Sequence, residues 1–336
     1  MEQSVLLGFS GGIDSCTSAR RLNQEGYRVV ALSIDTMGDK AMVAKAQEKA
    51  EELGIEWMAY DAREEFKREI IDYFCREYAM GHTPAPCTRC NTHIKWQILA
   101  KEADSLGIAY IATGHYFNIT EHNGLRYVTK GLDEAKDQSY YLWGLSQEIL
   151  ARALTPMGNA IKSDVKRSFA DKSESMGVCF LQGQPYADFL ATQGVAMPDG
   201  DIVTECGEIC GRHNGIARYT IGQRRGAGIP EGLRVTGIDA ANNHIMVGEN
   251  SRLYHHRLTI AECNIVSHKE LLTASDITIK IRGIGRNPQL PVSIKACNGG
   301  YIVTTNDPAW APALGQPLVF YRNNLVIGGG IVVDFN

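Results

Sequence analysis

Three groups of short stretches in this 336-residue chain carry residue types at spacings that can do chemistry. The first is Ser10-Gly11-Gly12-Ile13-Asp14-Ser15, which follows the apolar run Val5–Phe9 and opens a helical pattern. Two glycines let backbone approach a ligand closely, and the N–H groups of the turn and helix N-terminus converge on an anion. Ser10 and Ser15 add hydroxyls, and Asp14 could hold Mg²⁺ against phosphates. The stretch has neither the Lys-Ser/Thr of a Walker A loop nor the third glycine of a dinucleotide fingerprint. Such a loop suits departure of pyrophosphate from ATP, with an acceptor becoming adenylated. The plainer alternative is a tight strand–helix turn with an N-cap.

The second stretch is Pro86-Cys87-Thr88-Arg89-Cys90-Asn91, where a loop meets a helix. A thiol at a helix N-terminus has more thiolate character, and Arg89 beside it could reinforce this. The CxxC could equally be half of a zinc site, with Cys206 and Cys210 along one strand face as the other half. Those two pairs fall in different expected domains. Cys179, in Gly177-Val178-Cys179-Phe180, is a single thiol that alone reads as a small buried hydrophobe. Cys16, Cys75, Cys263 and Cys297 read as core.

The third group is polar and basic. Thr113-Gly114-His115-Tyr116 ends an apolar strand on the edge where open parallel sheets bind ligands, so His115 could meet a phosphate or adenine. Lys136-Asp137-Gln138-Ser139-Tyr140-Tyr141 offers cation, carboxylate, amide and rings suited to RNA, or else a capped, solvated helix start. Arg218 to Gly226 places cations, Arg224 and Arg225 among them, in a strand and turn fit for phosphate contacts.

Positioning these groups requires alternating elements. Strands are expected at Val5–Phe9, Tyr27–Ile34, Ile55–Tyr60 and Ile108–Thr113. Helices are expected after Asp14, over Lys40–Leu53, over the amphipathic Arg63–Tyr78 and over Asn91–Leu106, with a loop from Gly81 to Cys90. That alternation predicts an α/β domain, a doubly wound parallel sheet. From about Asp199 short strands broken by Gly, Asn and Pro take over: Asp201–Ile209, Gly215–Ile221, His244–Val247, Thr278–Ile281, Gln316–Tyr321 and Val326–Val333. This predicts two small β-rich domains, the last a barrel, giving limits of 1–198, 199–256 and 257–336.

Composition agrees with a globular chain: 44% hydrophobic and 21% charged residues exclude wholesale disorder. Lys+Arg minus Asp+Glu is 34 − 38 = −4, so no global basic field announces nucleic acid. No apolar run approaches a membrane span, and Met1 to Gly12 lacks a basic export signal, so no membrane partner is expected. Nine cysteines, an odd number, favour reduced thiols over a disulfide framework and a cytoplasmic address.

Taken together, GFSGGIDS, the stretch ending TPAPCTRCNTHIKW, ATGHY, KDQSYYLW, MGVCF, ARYTIGQRRGAGI and the terminal LVFYRNNLVIGGGIV resemble the tRNA-specific 2-thiouridylase (MnmA/TrmU) family of PP-loop ATP pyrophosphatases. The resemblance implies ATP binding by Gly8, Phe9, Ser10, Gly11, Gly12, Ile13 and Ser15, by Ile34 and by Gly114; Asp14 and His115 join on physical grounds. It implies Cys90 as nucleophile and Cys179 as persulfide bearer, able to form a transient disulfide. Ala85, Pro86 and Cys87 match the target-base loop, and Lys136, Asp137 and Gln138 a tRNA-contacting segment. Arg224, Arg225 and Arg282 are further candidate tRNA contacts.

The implied reaction is ATP-dependent 2-thiolation of the wobble uridine of tRNA, with sulfur supplied by a sulfur carrier or cysteine desulfurase-type donor. This chain departs from the family pattern at Ala85, where an asparagine is usual, and at Cys87, where some relatives carry Asp. With Cys87, Cys90 and Cys179, a 4Fe–4S cluster is an alternative route. A PP-loop amide ligase or synthetase, a divergent paralogue and a non-catalytic RNA-binding protein are the competing readings.

Overall fold

The computed structural model describes residues 3–169, 177–282 and 286–336. The chain divides into two compact units. One comprises Met1–Ile70, Cys87–Ser175 and Asn324–Val326, and the other Ile71–Pro86, Met176–Asn323 and Ile327–Asn336.

The first unit is built on a parallel sheet. Strand β1 (Ser4–Gly8) pairs with β2 (Arg28–Asp35) on one side and with β4 (Tyr110–Ala112) on the other; β3 (Glu56–Asp61) extends the β2 edge and Ala153–Leu154 the β4 edge. Val5, Leu6 and Leu7 are fully buried, which is why β1 reads as an unbroken apolar run rather than an alternating one. Because the chain leaves β1 toward one neighbour and returns to the other at β4, the strand order reverses beside β1. Such a switch point opens a crevice at the carboxyl ends of the strands.

Helix α1 (Ile13–Gln24) buries Cys16, Ala19 and Leu22 against Val5, Leu7, Val29 and Ala31. It stops at Gly26, whose φ of 88° is costly for other residues. Helix α2 (Lys40–Glu52) starts where the Asp39 side chain accepts from the Ala41 and Met42 N–H groups. Asn123-Gly124, both at positive φ, turn an antiparallel hairpin between Phe117–His122 and Leu125–Lys130. Leu325 pairs with Thr129 of that hairpin.

The second unit holds helices Asp72–Ala79 and Tyr186–Thr192 and two sheets. The smaller sheet runs Arg234–Asp239, His244–Gly248, Gly200–Thr204, Ile209–His213. The larger runs Ile277–Lys280, Pro317–Arg322, Leu325–Phe335, Tyr254–Ile265, Gly300–Trp310, Val292–Cys297.

Four expectations change. Gly81–Cys90 is not loop throughout: a helix begins at Pro86, whose ring presets φ and whose missing N–H is no loss at a first helical position. Arg63–Tyr78 is helical but interrupted by a π segment, Lys67–Ile71, and the helix after Cys90 likewise starts with a π segment, Asn91–Lys95. Asp201–Ile209 is a hairpin rather than one strand, so Cys206 sits in its turn and not along a strand face. Gly215–Ile221 is no strand. It contains the 3-10 turn Ile216–Arg218, and its buried Ile216, Tyr219 and Ile221 mimic alternation because they plug the core above the smaller sheet.

Candidate functional site

The turn between β1 and α1 lies at the switch point. Gly11 has φ +69°, and a Cβ there would stand 2.9 Å from the Ala46 Cα, so only glycine fits without moving α2. No side chain caps α1 at Gly12, leaving the first-turn N–H groups open toward the crevice. Ser15 Oγ donates to the Gly12 carbonyl at 3.0 Å and stands 3.4 Å from Ser10 Oγ. The Ile34 end of β2 and Gly114 beyond β4 share this strand-end edge. A Cβ on Gly114 would lie 3.2 Å from the Asp14 backbone and from Ser15 N, so the small residue lets the strand end close on the turn. An uncapped twelve-residue helix behind a glycine turn whose Ser10 and Gly12 are exposed fits a nucleotide phosphate chain.

Asp14 is engaged. Both its oxygens accept from Lys162 Nζ at 2.7 Å, and Oδ1 also accepts from the Tyr116 hydroxyl at 2.8 Å. Lys162 lies 148 residues away in sequence, on the short helix Lys162–Arg167; its side chain is 9% exposed and its ammonium sits 5.7 Å from the centre of the Tyr116 ring. Burial, then the Asp14 carboxylate, pushes the Tyr116 phenol well above its usual range. The pair has two consequences. The Asp14 charge that would repel phosphate is offset, and Asp14 presents no open pair of oxygens to Mg²⁺. The donor set fits the phosphates but not the magnesium site expected at Asp14. Sequence spacing gave no signal for Lys162.

His115, half-buried, hydrogen bonds to Thr113 Oγ1 at 2.7 Å and stacks on Trp96. Burial, with help from nearby Lys95, pushes its pKa down to about 3. The ring is therefore neutral at ordinary pH and does not serve as a phosphate-binding cation.

Cys87 and Cys90 lie one turn apart on Pro86–Cys90; Cys90 is 5% exposed and Cys87 half-buried. Arg89 turns to the π segment, its Nε donating to the Glu69 carbonyl at 2.8 Å and Nη2 to the Glu69 carboxylate at 3.1 Å. Asn91 donates to the Tyr141 carbonyl at 3.2 Å, which joins the CxxC stretch to the Lys136–Tyr141 stretch. Within the latter, Asp137 accepts from Gly131 N and from Ser139 N and Oγ, while Gln138 exchanges hydrogen bonds with the Tyr116 backbone. Asp137 and Gln138 thus brace the loop beside Tyr116, and Lys136 begins it. Thr88 Oγ1 and Asn91 Oδ1, which flank Cys90 in sequence, and Trp96 Nε1 farther along the helix are buried without hydrogen-bond partners.

In the second unit, Cys179 is exposed on the 3-10 turn Cys179–Leu181. Phe180 anchors that turn, 2% exposed, with its ring 5.1 Å from Phe74 and 5.0 Å from Phe189. Ala85 and Pro86 close this unit's first segment. Arg224 and Arg225 are exposed on a turn shaped by Gln223, whose amide donates to the Arg225 carbonyl. Arg282 points inward, to the carbonyls of Ala311 and Ile221 and over the Trp310 ring. Cys206 and Cys210 are both exposed. Among the described residues no group of three or more His, Cys, Asp or Glu side chains is arranged to hold a metal ion. No described helix is long and apolar enough to cross a membrane.

The family described as tRNA methyl transferase HUP domain matches residues 3–183. The tRNA methyl transferase PRC-barrel domain follows at 187–249 and the aminomethyltransferase beta-barrel domain at 255–332. A protein described as tRNA-specific 2-thiouridylase MnmA 2, from Phocaeicola vulgatus, is 39% identical over 347 residues, covering 98% of this chain and 97% of that one. The tRNA-specific 2-thiouridylase MnmA of Clostridium acetobutylicum is 34% identical over 355 residues, 99% and 100% of the two chains. That of Trichormus variabilis is 35% identical over 352 residues, 99% of each.

Two outcomes follow from this geometry. Lys162→Met leaves the Asp14 carboxylate uncompensated and should cost about 2 kcal/mol, less than a fully buried pair because Asp14 keeps 35% of its side chain exposed. Adding Asp14→Asn should recover most of that loss, measured as urea midpoints in a double-mutant cycle; additive losses would refute the coupling.

For His115, the unfolded imidazole takes a proton below its ordinary value of 6.5 and the folded one only near 3. The unfolded state is thus favoured increasingly as pH falls between those values, and stability rises with pH across the window. Urea midpoints at neutral pH and near pH 5 should converge in His115→Asn relative to the parent; an unchanged gap would mean that the ring titrates normally.

Proposed function

The chain belongs to the tRNA-specific 2-thiouridylase family, a family of tRNA sulfurtransferases, and from that premise we propose that it thiolates C2 of the wobble uridine in tRNA at the expense of ATP. What supports the reading most is one combination: an uncapped, glycine-turned helix start at a sheet switch point, in a chain that also carries the buried Cys90 on a CxxC helical turn and the exposed Cys179. An amide ligase needs the first and has no use for the second.

In this reading Gly8 to Ser15, Ile34 and Gly114 hold ATP, with His115 a neutral wall beside them. The uridine C2 oxygen attacks the α-phosphate: a C2–O–P bond forms, the α–β bond breaks and pyrophosphate departs along the α1 N–H groups. The carbonyl oxygen has then become part of a good leaving group. The terminal sulfur of a Cys179 persulfide attacks C2 and AMP leaves with the former carbonyl oxygen. Cys90 as thiolate attacks Cys179 Sγ, breaking its bond to the transferred sulfur, so 2-thiouridine is released and the two cysteine sulfurs are left as a disulfide. Exposure of Cys179 suits loading by a cysteine desulfurase-type donor or sulfur carrier, and burial of Cys90 protects it from stray oxidation.

Lys136, Ala85, Pro86 and the exposed Arg224 and Arg225 are the proposed tRNA contacts, and the cytoplasm is the proposed site of action. Arg282 supports the turn bearing the two arginines through the Ile221 carbonyl.

The test combines the protein with unmodified tRNA, ATP, cysteine and a cysteine desulfurase, followed by mass analysis of nucleosides and nucleotides. Expected are 2-thiouridine at the wobble position, AMP and pyrophosphate in equal amounts, and loss of the sulfur product in Cys90→Ser and in Cys179→Ser. ADP and phosphate as products, methyl addition in place of sulfur, or undiminished product from both serine variants would each refute it.

A further inference from the structure

The persulfide cycle uses Cys90 and Cys179 and leaves Cys87 without a task. The structure gives Cys87 a particular place. Pro86–Cys90 is a single helical turn, so Cys87 and Cys90, three residues apart, project within about 60° of each other. Helix geometry puts their Cα atoms about 5 Å apart, inside the span a disulfide bridges.

Two anchors prevent this turn from rotating about its axis. Arg89 is bound to the Glu69 backbone carbonyl and carboxylate, and Asn91, 3% exposed, is bound to the Tyr141 carbonyl. Arg89 leaves the helix about 160° from Cys87, so its tether holds the cysteine face turned away from Glu69. The first anchor draws on the π segment Lys67–Ile71, whose wider turn changes the carbonyl pairing around Glu69. The two thiols differ in access: Cys90 is buried and Cys87 half-buried, with the Tyr141 phenol near enough to Cys87 to feel its charge.

We propose that Cys87 is the resolving thiol of the sulfur-transfer cycle. The inference rests on the thiolation reading above. After sulfur transfer, Cys90 Sγ is held in a disulfide with Cys179. The Cys87 thiolate attacks Cys90 Sγ: the Cys87–Cys90 bond forms, the Cys90–Cys179 bond breaks, and Cys179 departs as a thiolate ready to accept sulfur again. The proton lost by Cys87 goes to solvent. The oxidising equivalent now lies within one helical turn, and a dithiol reductant removes it. One thiolate of the reductant attacks the more accessible Cys87 sulfur, Cys90 leaves as thiolate, and the second reductant thiol closes the reductant's own disulfide with release of Cys87. Holding the attacking thiol one turn from its target gives it an effective concentration no free reductant matches.

The experiment loads the protein with persulfide from cysteine and a cysteine desulfurase, removes both, and adds ATP and an unmodified tRNA transcript without reductant. The reaction is acid-quenched and its disulfides are mapped by non-reducing peptide mass analysis. The parent should accumulate Cys87–Cys90, whereas Cys87→Ser and Cys87→Ala should both accumulate Cys90–Cys179. With cysteine, desulfurase and dithiothreitol resupplied, both variants should turn over roughly tenfold or more slowly than the parent. Only Cys90–Cys179 in the parent, parental turnover in both variants, loss of the first turnover in both, or iron bound stoichiometrically through Cys87 would each overturn the assignment. If the parent itself puts no sulfur on tRNA, it is the thiolation reading that has failed.

Discussion

Much of the first unit depends on one carboxylate. Asp14 sits in the first turn of a helix whose N-terminus faces the crevice, and it takes hydrogen bonds from a lysine 148 residues distant and from the tyrosine just past β4. A helix start that is to receive phosphate, as proposed here, gains nothing from an uncompensated negative charge in its first turn. Lys162 supplies the compensation from inside the protein, where 9% exposure keeps the interaction less screened than at an open surface. The same bonds fix the short helix Lys162–Arg167 against α1 and hold the end of β4 close, which in turn requires Gly114 to have no side chain. Gln138 then ties the Lys136–Tyr141 stretch to Tyr116, and Asn91 ties that stretch to the cysteine turn. The glycine turn, the Lys136–Tyr141 stretch and the CxxC turn are thus connected by a short chain of hydrogen bonds.

Cys90 and Cys179 differ in their surroundings. Cys179 stands on a turn that carries its own anchor, since Phe180 packs into the aromatic group of Phe74 and Phe189. That arrangement exposes a sulfur without leaving its backbone loose. Cys90 lies on a helix that changes pitch immediately afterwards, at Asn91–Lys95, beside buried polar atoms with no partner. A π insertion and unpaired buried groups are unfavourable by themselves, and their coincidence at one thiol marks a place shaped for something other than stability.

The sequence disclosed those parts whose cause is local. Gly11 and Gly12 announce a turn because backbone geometry demands them, and the apolar run from Val5 to Phe9 announces a strand buried on both faces. Asn123-Gly124 is itself a hairpin signal, weakened because the flanking strand patterns are mixed. The π segments were not legible, since one inserted residue leaves hydrophobic spacing almost unchanged. Gly215–Ile221 misled because buried residues in an irregular segment can alternate by chance. Lys162 was invisible, as any partnership set by tertiary folding is when a single sequence is read. Asp137, Gln138 and Arg282 have the polar character of ligand contacts, but their side chains are engaged within the protein. Residue type foretold that they would hydrogen bond and not to what.

The account stands or falls on whether ATP activates the uridine oxygen itself. The direct measurement uses tRNA carrying a heavy-oxygen label at the uridine C2 position and follows the label by mass analysis after thiolation. Adenylation followed by displacement requires that oxygen to leave on the phosphate of AMP, one labelled AMP for each 2-thiouridine formed. Unlabelled AMP, with the heavy oxygen released to water, would contradict it.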